Sequence, residues 1–276
     1  MEVTPLPVQI NSRMAEAEIR LAKTDNRPAF AKRRVDTPHL DLGRIEPPRS
    51  VYLTVRYAAD RLAALALMIA VAPIIGLSAI LVKLSSAGPA FYTQTRLGRR
   101  GRLFTIYKIR TMIHNCESLT GPRWSMPGDP RVTRLGRFLR ATHLDELPQL
   151  LNVLRGDMCL IGPRPERPEF LPELQGELPH YTERLAVRPG VTGLAQIQLP
   201  ADTDLDSVRR KLAYDLYYIH HVGFWLDARI LICTAFYAIG VPYRALRGLF
   251  RIPNTEIVER HAQIAMAALP RQRLSA

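Results

Sequence analysis

The residues best suited to chemistry lie together in His143-Leu144-Asp145-Glu146-Leu147-Pro148-Gln149. Proline is tolerated best in the first turn of a helix, so Pro148 predicts that Asp145 and Glu146 sit at or near a helix start. The positive end of the helix dipole lies there, and its free N–H groups hold anions. Adjacent acids on one turn point in different directions. One carboxylate can attack or accept a proton while the other binds a metal. Taken alone, the heptapeptide reads more readily as an ordinary helix start whose acids complement the dipole. The surrounding cations change that balance. Lys108 and Arg110 alternate along a predicted strand and so share a face. Arg131, Arg134, Arg137 and Arg140 recur every three residues just upstream, as a solvated basic face or as a cationic wall for phosphates. Gly162-Pro163-Arg164-Pro165 and Arg188-Pro189-Gly190 are rigid turns that each present one guanidinium. So many cations beside one acidic pair point to an anionic substrate, with the carboxylates kept ionised by their neighbours.

The whole chain carries the same bias. It has 276 residues, with 38 Lys+Arg against 25 Asp+Glu, a formal net charge of +13 and a pI near 10.1. Such a balance favours nucleic acid, a phosphorylated substrate or acidic lipid. Nucleic acid is excluded as the expected partner. Only 7% of residues are aromatic, and no helix-turn-helix, zinc-finger or RNP pattern appears. There is no GxxxxGK[ST] loop, no strand-led GxGxxG, and no nucleophile-elbow setting for Ser125 or Ser207. His114, His143, His220 and His221 lack metal-ligand spacing and read as structural. Cys116, Cys159 and Cys233 lie far apart, which fits a reducing compartment.

Several elements must position these groups. Residues 1–50 are proline-punctuated and read as a poorly ordered tail with a short amphipathic helix near Ser12–Lys23 and no secretory signal. Leu62 to Val82 is a run of 21 residues without a charge. As a helix it would be about 32 Å long, against a hydrocarbon core of about 30 Å. Pro73 lies near its middle and predicts a kink. Arg49, Arg56 and Arg61 precede the run, and Lys83, Arg96, Arg99, Arg100 and Arg102 follow it. Positive residues favour the cytoplasmic side, so basic flanks at both ends favour a kinked re-entrant hairpin over a straight span or a buried soluble helix. Further on, Ala90–Gln94 and Leu103–Ile109 predict a β-hairpin; Arg131–Ala141, Asp145–Leu154 and Ser207–His221 predict helices. Phe224–Phe250 is apolar but interrupted by charges, and reads as an amphipathic surface segment or as a pair of core helices.

Taken together these motifs resemble the bacterial sugar transferase family, the monotopic polyprenyl-phosphate phosphoglycosyl transferases, over roughly residues 56–240. The likeness rests on the basic-flanked apolar segment with its proline, Gln94-Thr95-Arg96-Leu97-Gly98, and Phe104-Thr105-Ile106-Tyr107-Lys108-Ile109-Arg110-Thr111-Met112. It continues through Asp129-Pro130-Arg131, Leu144-Asp145-Glu146-Leu147-Pro148-Gln149-Leu150, Asn152-Val153-Leu154-Arg155-Gly156-Asp157-Met158, Gly162-Pro163-Arg164-Pro165, Arg188-Pro189-Gly190-Val191-Thr192-Gly193-Leu194-Ala195-Gln196 and Asp215-Leu216-Tyr217-Tyr218. The resemblance implies a mainly helical α+β fold: a re-entrant helix-break-helix over 51–84, a catalytic domain with interfacial amphipathic helices over 85–250, and tails at 1–50 and 251–276, with no multi-span N-terminal module. It implies a cytoplasmic-face enzyme of the bacterial inner membrane that passes a sugar 1-phosphate from a UDP-sugar to a polyprenyl phosphate with release of UMP, for exopolysaccharide synthesis. By the same resemblance Asp145 is the nucleophile and Glu146 helps bind Mg²⁺. Substrate-binding residues are Lys108, Arg110, Arg140, Arg164, Arg188, Gln196 and Asp215. Two departures stand out: Cys159 where the family has Ser, and Gln198-Leu199 where Asn-Gly is common, near the expected sugar contacts. The stretch Gly162–Phe170 favours glucose or galactose. The rival reading is a non-catalytic membrane scaffold of a polysaccharide assembly; oligomeric state is left open.

Overall fold

One stripe of side chains runs the length of the first helix. The computed structural model describes residues 51–268 except 119, 120, 122, 127, 239 and 242, and its first element, α1, is the helix Val51–Ser85. At 35 residues it extends about 52 Å. Leu53, Arg56, Asp60, Ala64, Ser78 and Val82 are buried, and Met68, Val71 and Ile75 are half-buried. Those spacings of three and four residues define one helical face. Ala64, Met68 and Val71 pack into the main core, while Val82 packs with Ile109 and Leu139. The other face leaves Leu62, Leu65, Leu67, Ile69, Ile74, Leu77, Ile80, Leu81 and Leu84 exposed. The helix continues through Pro73 without the expected break. It is the one described helix long and apolar enough to cross a membrane.

A buried polar network fixes the start of α1. Arg56 donates to the Tyr218 hydroxyl at 2.8 Å and to the Ile161 carbonyl, and pairs with Asp227 at 3.2 Å and Asp60 at 3.6 Å. Tyr52 and Tyr218 donate to Asp227 at 2.6 and 2.8 Å, and the Leu160 N–H donates to Asp60 at 3.2 Å.

The remainder is a helical body carrying two small sheets, the mainly helical α+β class expected. β1 (Phe91–Leu97) and β2 (Leu103–Ile109) form an antiparallel hairpin in which Tyr92 faces Lys108. α2 (Arg134–Ala141) follows, then a 3₁₀ turn (Leu144–Gln149) running directly into α3 (Leu150–Arg155). β3 (Cys159–Ile161) pairs in parallel with β4 (Gly190–Thr192), bringing together two motifs far apart in sequence. The contact is so close that a Cβ on Gly190 would lie 2.0 Å from the Gly162 nitrogen, so glycine is required there. α4 (Leu171–Glu177) and α5 (Leu194–Gln198) lie on either side of β4 in sequence, and α6 (Leu205–His220) packs its buried residues through both hydrophobic clusters.

The predicted surface segment becomes α7 (Phe224–Ala238) and α8 (Tyr243–Leu249). Both earlier alternatives hold a share of it. Ile230, Cys233 and Leu246 are core residues, yet Phe224, Trp225, Leu231, Ile232, Phe236, Tyr237 and Leu249 are exposed. The stretch 251–276, expected as a tail, contains α9 (Thr255–Ala268), whose Val258 and Ala262 join the main core. Residues 1–50, with their expected helix near 12–23, lie outside the described residues.

Candidate active site

β2 is the rail on which the site is built. Its open edge is held by Asn152 of α3, fully buried, whose amide donates to the Thr105 carbonyl at 2.7 Å and accepts from the Tyr107 N–H at 3.2 Å. That clamp sets Lys108 over the 3₁₀ turn. Lys108 Nζ donates to Glu146 Oε1 at 2.6 Å. Arg164 grips the same carboxylate, Nη2 to Oε1 at 2.7 Å and Nη1 to Oε2 at 3.4 Å. Burial alone would push the Glu146 carboxyl up, but the Arg164 and Lys108 charges hold it well below the usual carboxylate range. Burial pushes the Lys108 ammonium down against the pull of Glu146, and the Glu146 charge pushes the Arg164 guanidinium up.

Asp145, one residue earlier, is different. It is 7% exposed, and its carboxylate makes no hydrogen bond or ion pair with the described residues. Burial, then the Glu146 charge, push its carboxyl above the ordinary range, while Lys108, Arg140 and Arg164 act the other way. The two acids are thus divided: one clamped between cations, one buried without a partner among the described residues. The turn that separates them from α2 is closed by His143 in the left-handed region (φ 56°). Pro148 falls inside the 3₁₀ turn rather than in a first helical turn, but the acids occupy the start as expected.

Arg140 approaches from α2. Thr133 caps that helix by accepting from the Gly136 N–H at 2.9 Å. A Cβ on Gly136 would lie 2.0 Å from the Thr111 carbonyl oxygen, so only glycine lets α2 lie this close to the end of β2. Arg140 then donates to Thr111 Oγ1 at 2.9 Å and Ser125 Oγ at 3.0 Å. The other three arginines of that series form no wall: Arg131 is buried in an ion pair with Asp129 at 2.6 Å, and Arg134 and Arg137 are exposed.

Asp215 stands behind Arg164. It accepts from Arg184 Nε and Nη2 at 3.0 and 2.7 Å, and Arg184 Nη2 also donates to the Arg164 carbonyl at 2.9 Å. Gln196 reaches the same turn from the other side, its Nε2 donating to the Gly162 carbonyl at 3.4 Å. Gln196 directly, and Asp215 through Arg184, therefore support the backbone that carries Arg164 rather than facing the Asp145 carboxylate. Arg110 and Arg188 are not brought to the pair. Arg110 donates to Ser86 O and Oγ, both at 2.9 Å, and to the Ala87 carbonyl; Arg188 stacks on Tyr57 at 4.2 Å, near the far end of the hairpin. Asn152 and Arg184 were not singled out from sequence. Asn152 opens the stretch Asn152-Val153-Leu154-Arg155-Gly156-Asp157-Met158, and only its complete burial marks it out.

Among the described residues no group of three or more His, Cys, Asp or Glu could hold a metal ion by itself. Asp145 and Glu146 fit a different kind of site. Mg²⁺ takes hard oxygen donors, often one or two carboxylates with substrate phosphates and water completing the shell. Asp145 has free oxygens for that, and Glu146 Oε2 has only the 3.4 Å contact.

Comparison with known proteins bears on this geometry. A profile described as bacterial sugar transferase matches residues 51–240, from the first turn of α1 to just past α7. The chain belongs to the bacterial sugar transferase family. Over 187 residues it is 42% identical to an Aeromonas hydrophila protein named UDP-N-acetylgalactosamine-undecaprenyl-phosphate N-acetylgalactosaminephosphotransferase, covering 68% of this chain and 44% of that one. It is 45% identical over 177 residues to a Caulobacter vibrioides UDP-glucose:undecaprenyl-phosphate glucose-1-phosphate transferase, covering 63% and 66%. It is 40% identical over 187 residues to the Rhizobium leguminosarum bv. phaseoli exopolysaccharide production protein PSS, covering 66% and 94%. The chain thus spans less than two thirds of the first two of these relatives and nearly all of the third.

For this family member the Asp215–Arg184 pair makes a direct prediction. Asp215→Ala takes the nearer counter-charge from the buried Arg184 guanidinium and leaves it only Glu166 at 3.9 Å, which costs about 3 kcal/mol. A thermal melt should drop by many degrees, and Asp215→Asn, which keeps one acceptor, by less. Burial pushes the Asp215 carboxyl up to about 6 despite Arg184. The folded chain therefore binds this proton more tightly than the unfolded chain. Through this group, stability is greatest at low pH and is lost as pH rises from about 4 through about 6. Acidification to pH 5 should loosen the hold on Arg164 without unfolding through Asp215. A melting profile in which Asp215→Asn leaves the pH 4–6 slope unchanged would contradict this.

Proposed function

We propose that this chain transfers a sugar 1-phosphate from a UDP-sugar to undecaprenyl phosphate, the first membrane step of exopolysaccharide synthesis. The observation that carries the reading is the divided acidic pair: an unpartnered Asp145 beside a Glu146 held by Lys108 and Arg164. A carboxylate meant for structure would be paired; one meant for attack must be open.

In the first step an oxygen of Asp145 attacks the phosphorus that bears the sugar, and the bond from that phosphorus to the UMP oxygen breaks. UMP leaves, and a sugar-phosphoryl aspartate remains. In the second step an oxygen of the lipid phosphate attacks the same phosphorus, the acyl-phosphate bond breaks, and Asp145 returns as carboxylate. Both steps bring anion to anion. Lys108, Arg164 and Arg140 offset that repulsion with fixed cations that need no reorganisation. Glu146, whose Oε2 has only the 3.4 Å contact, would help hold Mg²⁺, which would supply further neutralisation of the diphosphate. The names of the relatives include undecaprenyl phosphate as acceptor and glucose and N-acetylgalactosamine as donor sugars; of the two expected donors, glucose and galactose, glucose is the one among these names, and we take it as the donor. The test is UMP release from a panel of UDP-sugars, with and without undecaprenyl phosphate and Mg²⁺. Release with one sugar, abolished by EDTA, is expected; no release with any sugar sinks the proposal and leaves the scaffold reading.

We read α1, unbroken at Pro73, as membrane-associated with both of its ends on the cytoplasmic face of the inner membrane. The support is the single buried stripe: a spanning helix would carry one end away from the body, whereas here Ala64 and Val82 both pack on it. The outer face is uncharged from Leu62 to Leu81. Cysteines placed at 50 and 86 should both react with a cytoplasmic thiol reagent in spheroplasts; labelling of either from outside overturns the topology.

A further inference from the structure

The tip of the β1–β2 hairpin lies about 20 Å along β2 from Lys108, six residues away. Five arginines meet there. Arg99, Arg100, Arg102 and Arg188 line a cavity of about 350 Å³ together with Phe104, Gly156 and Asp157. Arg61 of α1 reaches the same place: a Cβ on Gly156 would lie 2.3 Å from its Nη2. The turn that presents these side chains is tight, with Arg100 at φ 55° and Gly101 at φ 70°. The Arg99 Nε donates to the Ala186 carbonyl at 3.2 Å, and Arg188 rests on the Tyr57 ring. None of the five forms an ion pair among the described residues, whereas Arg56, Arg96, Lys108, Arg131, Arg164, Arg167 and Arg184 all do. Asp157 is the one acid lining the cavity. Burial pushes the Arg188 guanidinium down, and the Arg61 and Arg99 charges push the same way.

Cations gathered without counter-ions repel one another, and a phosphate, which accepts planar guanidinium forks, relieves that repulsion. The position selects the source of the phosphate. Arg61 is the last charge before the uncharged run from Leu62 to Val82, and Leu62 and Leu65 are exposed beside it. The cavity therefore lies where an apolar, membrane-seeking face begins, at the depth of lipid phosphates. We propose that this cavity is a binding site for the phosphate of an anionic phospholipid headgroup, separate from the acidic pair, which pins the hairpin tip to the bilayer surface. The inference rests on the membrane placement of α1 proposed above but not on the transfer reaction.

The test is native mass spectrometry of the full chain in detergent, titrated with phosphatidylglycerol or phosphatidylcholine, against R100Q/R102Q. Neither side chain has a partner among the described residues, so the variant should melt with the wild type and release UMP equally in lipid-free detergent. The wild type should retain one phosphatidylglycerol that the variant binds at least about tenfold more weakly, and no matching phosphatidylcholine. Equal retention by both proteins overturns the site, as does equal retention of the two lipids. Inorganic phosphate is tested separately by thermal shift. An arginine-dependent shift without phosphatidylglycerol retention makes the ligand a soluble anion and overturns the lipid assignment. If UMP release is absent in both proteins the transfer reading fails, while lipid retention still decides this one.

Discussion

Asp145→Asn should lower UMP release by about four orders of magnitude or more, the scale seen when a covalent nucleophile is removed. The amide has nearly the same shape but no lone-pair charge to place on phosphorus. The fold should not suffer. Asp145 has no hydrogen-bond or ion-pair partner to lose among the described residues, and burial already disfavours its charged form. The melt of the variant should therefore match or exceed that of the wild type, which separates lost chemistry from lost structure. Glu146→Gln provides the contrast. It removes the counter-charge of Lys108 and Arg164 together, so it should lower both activity and melting temperature. Mass spectrometry completes the argument. With UDP-sugar and no lipid acceptor, the wild type should gain the mass of a sugar phosphate and Asp145→Asn should gain none. An Asp145→Asn protein that turns over near the wild-type rate, or that still gains the adduct, refutes the assignment of the nucleophile.

The pair was legible because its signals are local. A hairpin strand sets Lys108, a proline turn sets Arg164, and both meet an acidic dipeptide whose spacing fixes where it can lie. Side chains that answer to distant partners were not legible. Arg110 obeys the alternation that puts it on the face of Lys108, yet the carbonyls past the end of α1 need donors, and its long stem reaches Ser86 and Ala87 first. Arg131 has the spacing of Arg140, but Asp129, two residues away, captures it before α2 begins. Asp215 looked like a substrate-handling acid; its position shows two hydrogen bonds to Arg184, a residue that no spacing tied to it. The stripe on α1 was hidden in another way. A run of 21 residues without a charge has no charged face to reveal which side packs inward, so only the body it lies on could show that.

Arg56→Leu should be the most damaging change outside the acidic pair. One guanidinium at the start of α1 serves the Ile161 carbonyl, the Tyr218 hydroxyl and the Asp227 and Asp60 carboxylates, and it is 7% exposed. Leucine fills much of the volume but leaves two buried carboxylates facing each other's charge with no cation, at a cost of about 3–5 kcal/mol. Against a typical total of about 5–15 kcal/mol, that brings the body close to unfolding at growth temperature. The site should feel it even in molecules that stay folded. Ile161 directly precedes Gly162-Pro163-Arg164, so releasing its carbonyl loosens the turn that carries Arg164 to Glu146. Arg56→Leu should therefore show a melt lowered by many degrees and, at a temperature where it is folded, a reduced kcat. Adding Asp60→Asn and Asp227→Asn removes the stranded charges and should recover most of the stability, because neutral amides need no counter-ion. A single variant that melts within a degree or two of the wild type, or a triple variant no more stable than the single, would mean that α1 is held by its apolar stripe alone and that the network contributes nothing to seating the helix.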